Sequence, residues 1–85
     1  FWFSMKKHIL LVDDDDALRE SLAEQLALYE EFKVTQASRA AMALEKIKEQ
    51  EPVDIVILDV GLPDMDGRDT CRLMRRGGFK SPVII

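Results

Sequence analysis

The residues with the most evident chemistry are acids placed just after apolar runs. His8-Ile9-Leu10-Leu11-Val12 is closed by Asp13-Asp14-Asp15-Asp16, and Ile55-Val56-Ile57-Leu58 is closed by Asp59. Short continuous apolar runs suit strands buried on both faces of a sheet. In an open parallel sheet, ligands bind beyond the carboxyl ends of the strands. If these two strands are neighbours, Asp13, Asp14 and Asp59 converge at one edge. Packed like charges repel, so such a cluster holds either a proton or a cation. The available ligands are all oxygens, from carboxylates, the Gly61 carbonyl and water, which favours a hard divalent ion. With no protein cage of six oxygens, Mg²⁺ keeping several waters fits better than Ca²⁺. An EF-hand starting at Asp13 is excluded, because Leu18 stands where that loop needs glycine.

A division of labour follows. A carboxylate beside Mg²⁺ can attack phosphorus and form an acyl phosphate. Asp59 is the better nucleophile, standing alone at its strand end beside a loop that carries Gly61 and Pro63. Asp14 and Asp13 are then acids on the metal side, one direct and one through water. The opposing reading is that four consecutive acids form a solvated, helix-capping run and that Asp59 caps a turn. Periodicity alone leaves both open.

The elements that must position these acids alternate regularly. After the first strand, Leu18, Leu22, Leu26 and Tyr29 recur at helical spacing, with Asp15 or Asp16 as N-cap. Phe32–Ala37 alternates as a half-buried edge strand. Ser38 is placed to cap a second helix over 39–50, with Ala40, Ala43, Leu44 and Ile47 inward and Pro52 closing it. A third strand at Ile55–Leu58 leads through the 60–67 loop into a helix over 68–76. Gly77-Gly78 ends that helix, and Pro82-Val83-Ile84-Ile85 starts a fourth strand. Strands alternating with helices predict an α/β fold with a parallel sheet.

Composition narrows the function. The 85 residues allow one domain. Twelve Lys+Arg against 16 Asp+Glu give a net charge of −4, which argues against a nucleic-acid module. Cys71 has no internal disulfide partner, and no apolar run is long enough to span a bilayer. The expected setting is cytoplasmic. Residues 1–5 read as an N-terminal extension, because Met5-Lys6-Lys7 looks like a translation start. Arg68, Arg72, Arg75 and Arg76 read as a solvated face of the third helix, and Cys71 as core filler. His8 lies at a strand start, away from the acids.

The acid blocks resemble the receiver domain of bacterial two-component response regulators. Residues 9–15, Ile-Leu-Leu-Val-Asp-Asp-Asp, look like the family's first strand and acid pair. Residues 57–67, Ile-Leu-Asp-Val-Gly-Leu-Pro-Asp-Met-Asp-Gly, look like its phosphoacceptor strand and loop. The resemblance implies a flavodoxin-like doubly wound sheet of order 2-1-3-4-5. It implies that Asp59 accepts phosphate from a sensor histidine kinase. Mg²⁺ would be bound directly by Asp14, Asp59 and the Gly61 carbonyl, with Asp13 acting through water. Family members also carry a Thr or Ser after the fourth strand, an aromatic on the fifth, and a Lys at its end. The 85 residues stop short of all three, so the expectation over 6–85 is a partial receiver domain, cut after the fourth strand, with an impaired site.

The same reading predicts a homo-oligomer through the fourth-strand edge at Val83, Ile84 and Ile85, with Phe1, Trp2 and Phe3 available to cover a bare face. Two alternatives compete with the phosphoacceptor. One is an aspartyl-phosphate phosphatase-like enzyme, disfavoured because Ala17 and the acid run lack that class's small polar residues. The other is a non-phosphorylated scaffold of receiver shape.

Overall fold

The computed structural model describes residues 6–49 and 51–85. Among these residues four strands and three helices alternate: β1 Lys7–Val12, α1 Asp16–Ala27, β2 Phe32–Ala37, α2 Ala40–Lys46, β3 Ile55–Leu58, α3 Gly67–Arg76 and β4 Val83–Ile84. The strands form one parallel sheet in the order β2-β1-β3-β4. The first four strands therefore take the order that the resemblance implied.

Strand alternation divides the side chains between two faces. Leu10, Val12, Val56 and Leu58 point to one face, where they meet Ala40 and Ala43 of α2, Met74 of α3 and Leu62 of the intervening loop. This is the core. The helix α2 brings only alanines to its centre, which lets it lie close against the sheet. Leu44, Ile47 and Cys71 pack at the margin of that core, as the sequence predicted.

The other face carries α1 alone among the described helices, and its apolar stripe is left largely uncovered. Leu18, Leu22 and Tyr29 do not form a buried stripe: Leu18 is 48% and Tyr29 58% exposed, while Arg19 and Ala23 are buried. The physical reason is the lean of the helix. α1 packs chiefly against β2, so its leucine stripe turns toward β1 and β3 and borders an open hollow of about 550 Å³. Leu11, Leu22, Leu26, Leu28, Tyr29 and Ile57 line it.

Two capping expectations divide. Asp15 is the N-cap of α1, its carboxylate accepting from the Leu18 N–H at 3.0 Å. Ser38 does not cap α2. Its hydroxyl donates to Met42 Sδ at 3.4 Å, and the N-cap position is Arg39, with no side-chain cap of its own. The helix is also shorter than predicted: past Lys46 the chain continues in turns, and Gln50 lies outside the described residues. Phe1, Trp2 and Phe3, assigned to a bare face, lie outside them as well.

Candidate functional site

Register alone brings the acids together. β1 and β3 are hydrogen-bonded neighbours with Val12 opposite Leu58, so the next residues, Asp13 and Asp59, leave the sheet side by side. The backbone continues the pairing beyond the strands. The Asp59 N–H donates to the Val12 carbonyl at 2.9 Å, and the Asp13 N–H donates to the Ala37 carbonyl of β2 at 3.1 Å. Carboxylate oxygens of Asp13, Asp14 and Asp59 all lie within 4.8 Å of one another. The three residues named from sequence are thus brought to one point.

Local hydrogen bonds fix how each acid is held. Asp13 Oδ1 accepts the Asp15 N–H at 2.9 Å, tightening the turn into α1. Asp14 is exposed, and Asp59 is half-buried. One Asp59 oxygen accepts the Gly61 N–H at 3.3 Å, so the fourth residue named from sequence sits directly against the carboxylate. The loop closes on itself by a bridge between Gly61 and Asp66 and by the Gly67 N–H donating to the Val60 carbonyl at 2.9 Å. Asp66 caps α3, accepting from the Arg68 N–H at 2.8 Å. The Arg68 guanidinium holds the Asp66 carboxyl below the usual carboxylate range.

The donor set suits a hard divalent cation. Two oxygens bound directly to one Mg²⁺ stand ~3–4 Å apart. Oxygens within 4.8 Å therefore fit an ion held directly by some of these carboxylates and through water by another. Nitrogen and sulfur donors are absent from the cluster, which disfavours zinc or copper.

Sequence reasoning missed two residues around this centre. Arg19 is buried, and its guanidinium donates to the Asp13 carbonyl at 2.7 Å and to Gln36 Oε1 at 3.0 Å, while pairing with Asp16 at 2.8 Å. It ties the acid turn to α1 and β2. The available signal was its spacing of three from Asp16. The second is Asp64, whose two carboxylate oxygens accept from the Ala40 N–H at 2.9 Å and the Ala41 N–H at 3.0 Å. These backbone bonds, Ala40's the larger, pull its carboxyl below the usual range. This is the cap that Ser38 does not provide.

The remaining chemistry-bearing residues lie elsewhere. His8 is buried at the amino end of the sheet, its Nδ1 3.0 Å from the Pro52 carbonyl and Nε2 2.6 Å from Thr35 Oγ1. Arg68 and Arg72 pair with Asp66 and Asp69 on the exposed side of α3. Arg75 donates to the Phe79 and Ser81 carbonyls. No helix among the described residues is long and apolar enough to cross a membrane.

A parallel β2-β1-β3-β4 sheet with an acid trio at its carboxyl edge has a counterpart among known proteins. Residues 9–85 match the response regulator receiver domain, and the chain belongs to that family. Among curated relatives it is similar to response regulator MprA of Mycobacterium sp. (strain KMS), 40% identical over 81 residues that span 95% of this chain and 34% of that protein. Among solved structures it is similar to the response regulator TrrA from Thermotoga maritima in complex with Mg²⁺-BeF. The identity is 32% and the TM-score 0.82, over 93% of this chain and 67% of that one. TrrA in complex with the histidine kinase ThkA gives 31% and 0.80, over 91% and 65%.

Proposed function

We propose that this receiver domain accepts a phosphoryl group on Asp59 from a phosphohistidine of a sensor histidine kinase, in the cytoplasm where such kinases use ATP. The observation that carries the reading is the meeting of Asp13, Asp14 and Asp59 at the edge beyond β1 and β3. Residues 6–85 are the receiver portion and residues 1–5 an extension. Asp13, Asp14, Asp59 and the Gly61 carbonyl are the groups that would hold Mg²⁺, with Asp13 acting through water. Mg²⁺ held there would supply positive charge to offset the negative charge of the incoming phosphoryl group. An Asp59 oxygen forms the new O–P bond while the P–N bond to the kinase histidine breaks. The imidazole leaves with that bond's electron pair, neutral when its other nitrogen carries a proton. The Gly61 N–H, already on Asp59, holds the carboxylate in place. A relative in complex with Mg²⁺-BeF and another structure of it in complex with a histidine kinase support this reading.

The test uses a small phosphodonor with Mg²⁺. Mass spectrometry is expected to find one added phosphoryl group, on Asp59. Modification at Asp13 would favour the phosphatase-like alternative, and none at either a scaffold.

The same domain is proposed to self-associate through Val83, Ile84 and Ile85. Among the described residues β4 is one of the two edge strands, and Ile84 is 53% exposed. An apolar strand edge with free backbone groups pairs readily with another chain. Sedimentation is expected to show dimers or larger species at micromolar concentration; a folded monomer throughout that range would remove this interface.

A further inference from the structure

A closed circuit of bonds runs through the acid centre, and one side chain completes it. From Asp13 the ring passes by hydrogen bond to the Ala37 carbonyl, along the backbone through Ser38 and Arg39 to Ala40, and by hydrogen bond to Asp64. It returns along the 59–64 segment to Asp59, whose N–H is bonded to Val12, the residue before Asp13. Every link is backbone except the carboxylate of Asp64. Both its oxygens are committed, one to each of the first two N–H groups of α2, and no other side chain among the described residues caps that helix end. Leu62 is buried in the core and Gly67 is seated on Asp59, so the loop between them has its base fixed and only its outer turn left to hold. Asp64 is on that turn.

We infer that Asp64 is a positioning residue for the metal centre: by clamping the 60–66 loop to α2 it sets Gly61 against the carboxylates. This rests on the metal reading given above. Ion binding that draws Gly61 and Asp59 inward pulls on Asp64, and through it on the Ala40 and Ala41 amides. Asp64 itself takes no part in coordination, so its influence is geometric. A side chain with one acceptor oxygen retains part of it, and one with none loses it.

The test is a Mg²⁺ titration of the full chain followed by amide NMR. In the wild type, Mg²⁺ is expected to shift the Ala40 and Ala41 resonances together with those of Asp13, Asp14 and Gly61. In Asp64→Ala the Ala40 and Ala41 shifts disappear and the dissociation constant rises by about tenfold, the scale of an outer-shell loss. Asp64→Asn keeps an acceptor without the charge and recovers much of that affinity. It also carries the test should the alanine variant fold poorly. Equal loss in both variants would mean that only the negative charge matters, and would overturn the inference. So would an alanine variant with wild-type affinity and unchanged Ala40 shifts. A wild type that does not titrate would instead remove the metal reading, and this inference with it.

Discussion

Replacing Asp59 by asparagine is expected to raise the unfolding midpoint of the metal-free domain and to abolish the further rise that Mg²⁺ gives. Three carboxylates with oxygens within 4.8 Å repel one another in the absence of a cation. At ~4 Å in a water-like dielectric each pair costs about 1 kcal/mol, less in high salt. The substitution would remove Asp59's share of that repulsion, while the amide oxygen of the new side chain still accepts the Gly61 N–H. For a domain of this size ~1 kcal/mol corresponds to a gain of about 4–8 °C. The metal effect is larger and opposite. At a hundredfold excess over its dissociation constant a ligand stabilises by about 2.7 kcal/mol, or roughly 10–20 °C here. The variant lacks a ligand and so loses most of that gain, and it takes up no phosphoryl group. Thermal melts in EDTA and in Mg²⁺ read both halves at once. A variant less stable than wild type in EDTA, with its Mg²⁺ gain intact, would show that the acids are only solvated caps.

Gly67→Ala is expected to be the most damaging single-methyl change in the loop. A Cβ at position 67 would stand 2.5 Å from the Asp59 carbonyl oxygen, 2.9 Å from Val60 Cα and 3.1 Å from the Asp59 carbonyl carbon. All three are backbone atoms, so no side chain can swing aside. Alanine in place of glycine favours a helix by up to ~1 kcal/mol, and position 67 opens α3. Overpacking of this kind costs about 1–3 kcal/mol and occasionally more, so the clash wins. Relief requires the loop to lift from Asp59, which disturbs the phosphoacceptor itself. The expected result is a midpoint lowered by about 10 °C together with weakened Mg²⁺ binding. Gly61→Ala is the control, because its Cβ would meet only an Asp59 carboxylate oxygen, at 3.9 Å. A Gly67→Ala protein that melts with the wild type would contradict this account of the loop.

These contrasts show which features a sequence discloses. The bounds of β3 were legible because an unbroken run of β-branched residues and leucine ends abruptly in an acid, and the structure places the strand at Ile55–Leu58. The meeting of Asp13 with Asp59 was legible once the two strands were taken as neighbours, since the register Val12 opposite Leu58 does the rest. The exposure of Leu18 and Leu22 was not. Periodicity reports which residues share a face, not what covers that face, and α1 leans on β2 with Arg19 and Ala23 inward. Arg19 was hidden for a related reason: a charged residue reads as solvated unless its partners are known, and one of them, Gln36, lies on another strand. The cap of α2 was read from Ser38 because capping signals are sought beside the helix. Asp64 reaches it from 24 residues away, through a contact that exists only after β3 and α3 are in place.

The central claim is that acids from two strand ends and a divalent cation together make Asp59 reactive toward phosphorus. Fluorine NMR with beryllofluoride tests it most directly, because that phosphoryl mimic needs both the carboxylate and the metal. Bound-fluoride resonances are expected with wild-type protein only when Mg²⁺ is present, and never with Asp59→Asn. Resonances that persist without Mg²⁺ or in the asparagine variant, or none at all at saturating concentrations, would contradict the account.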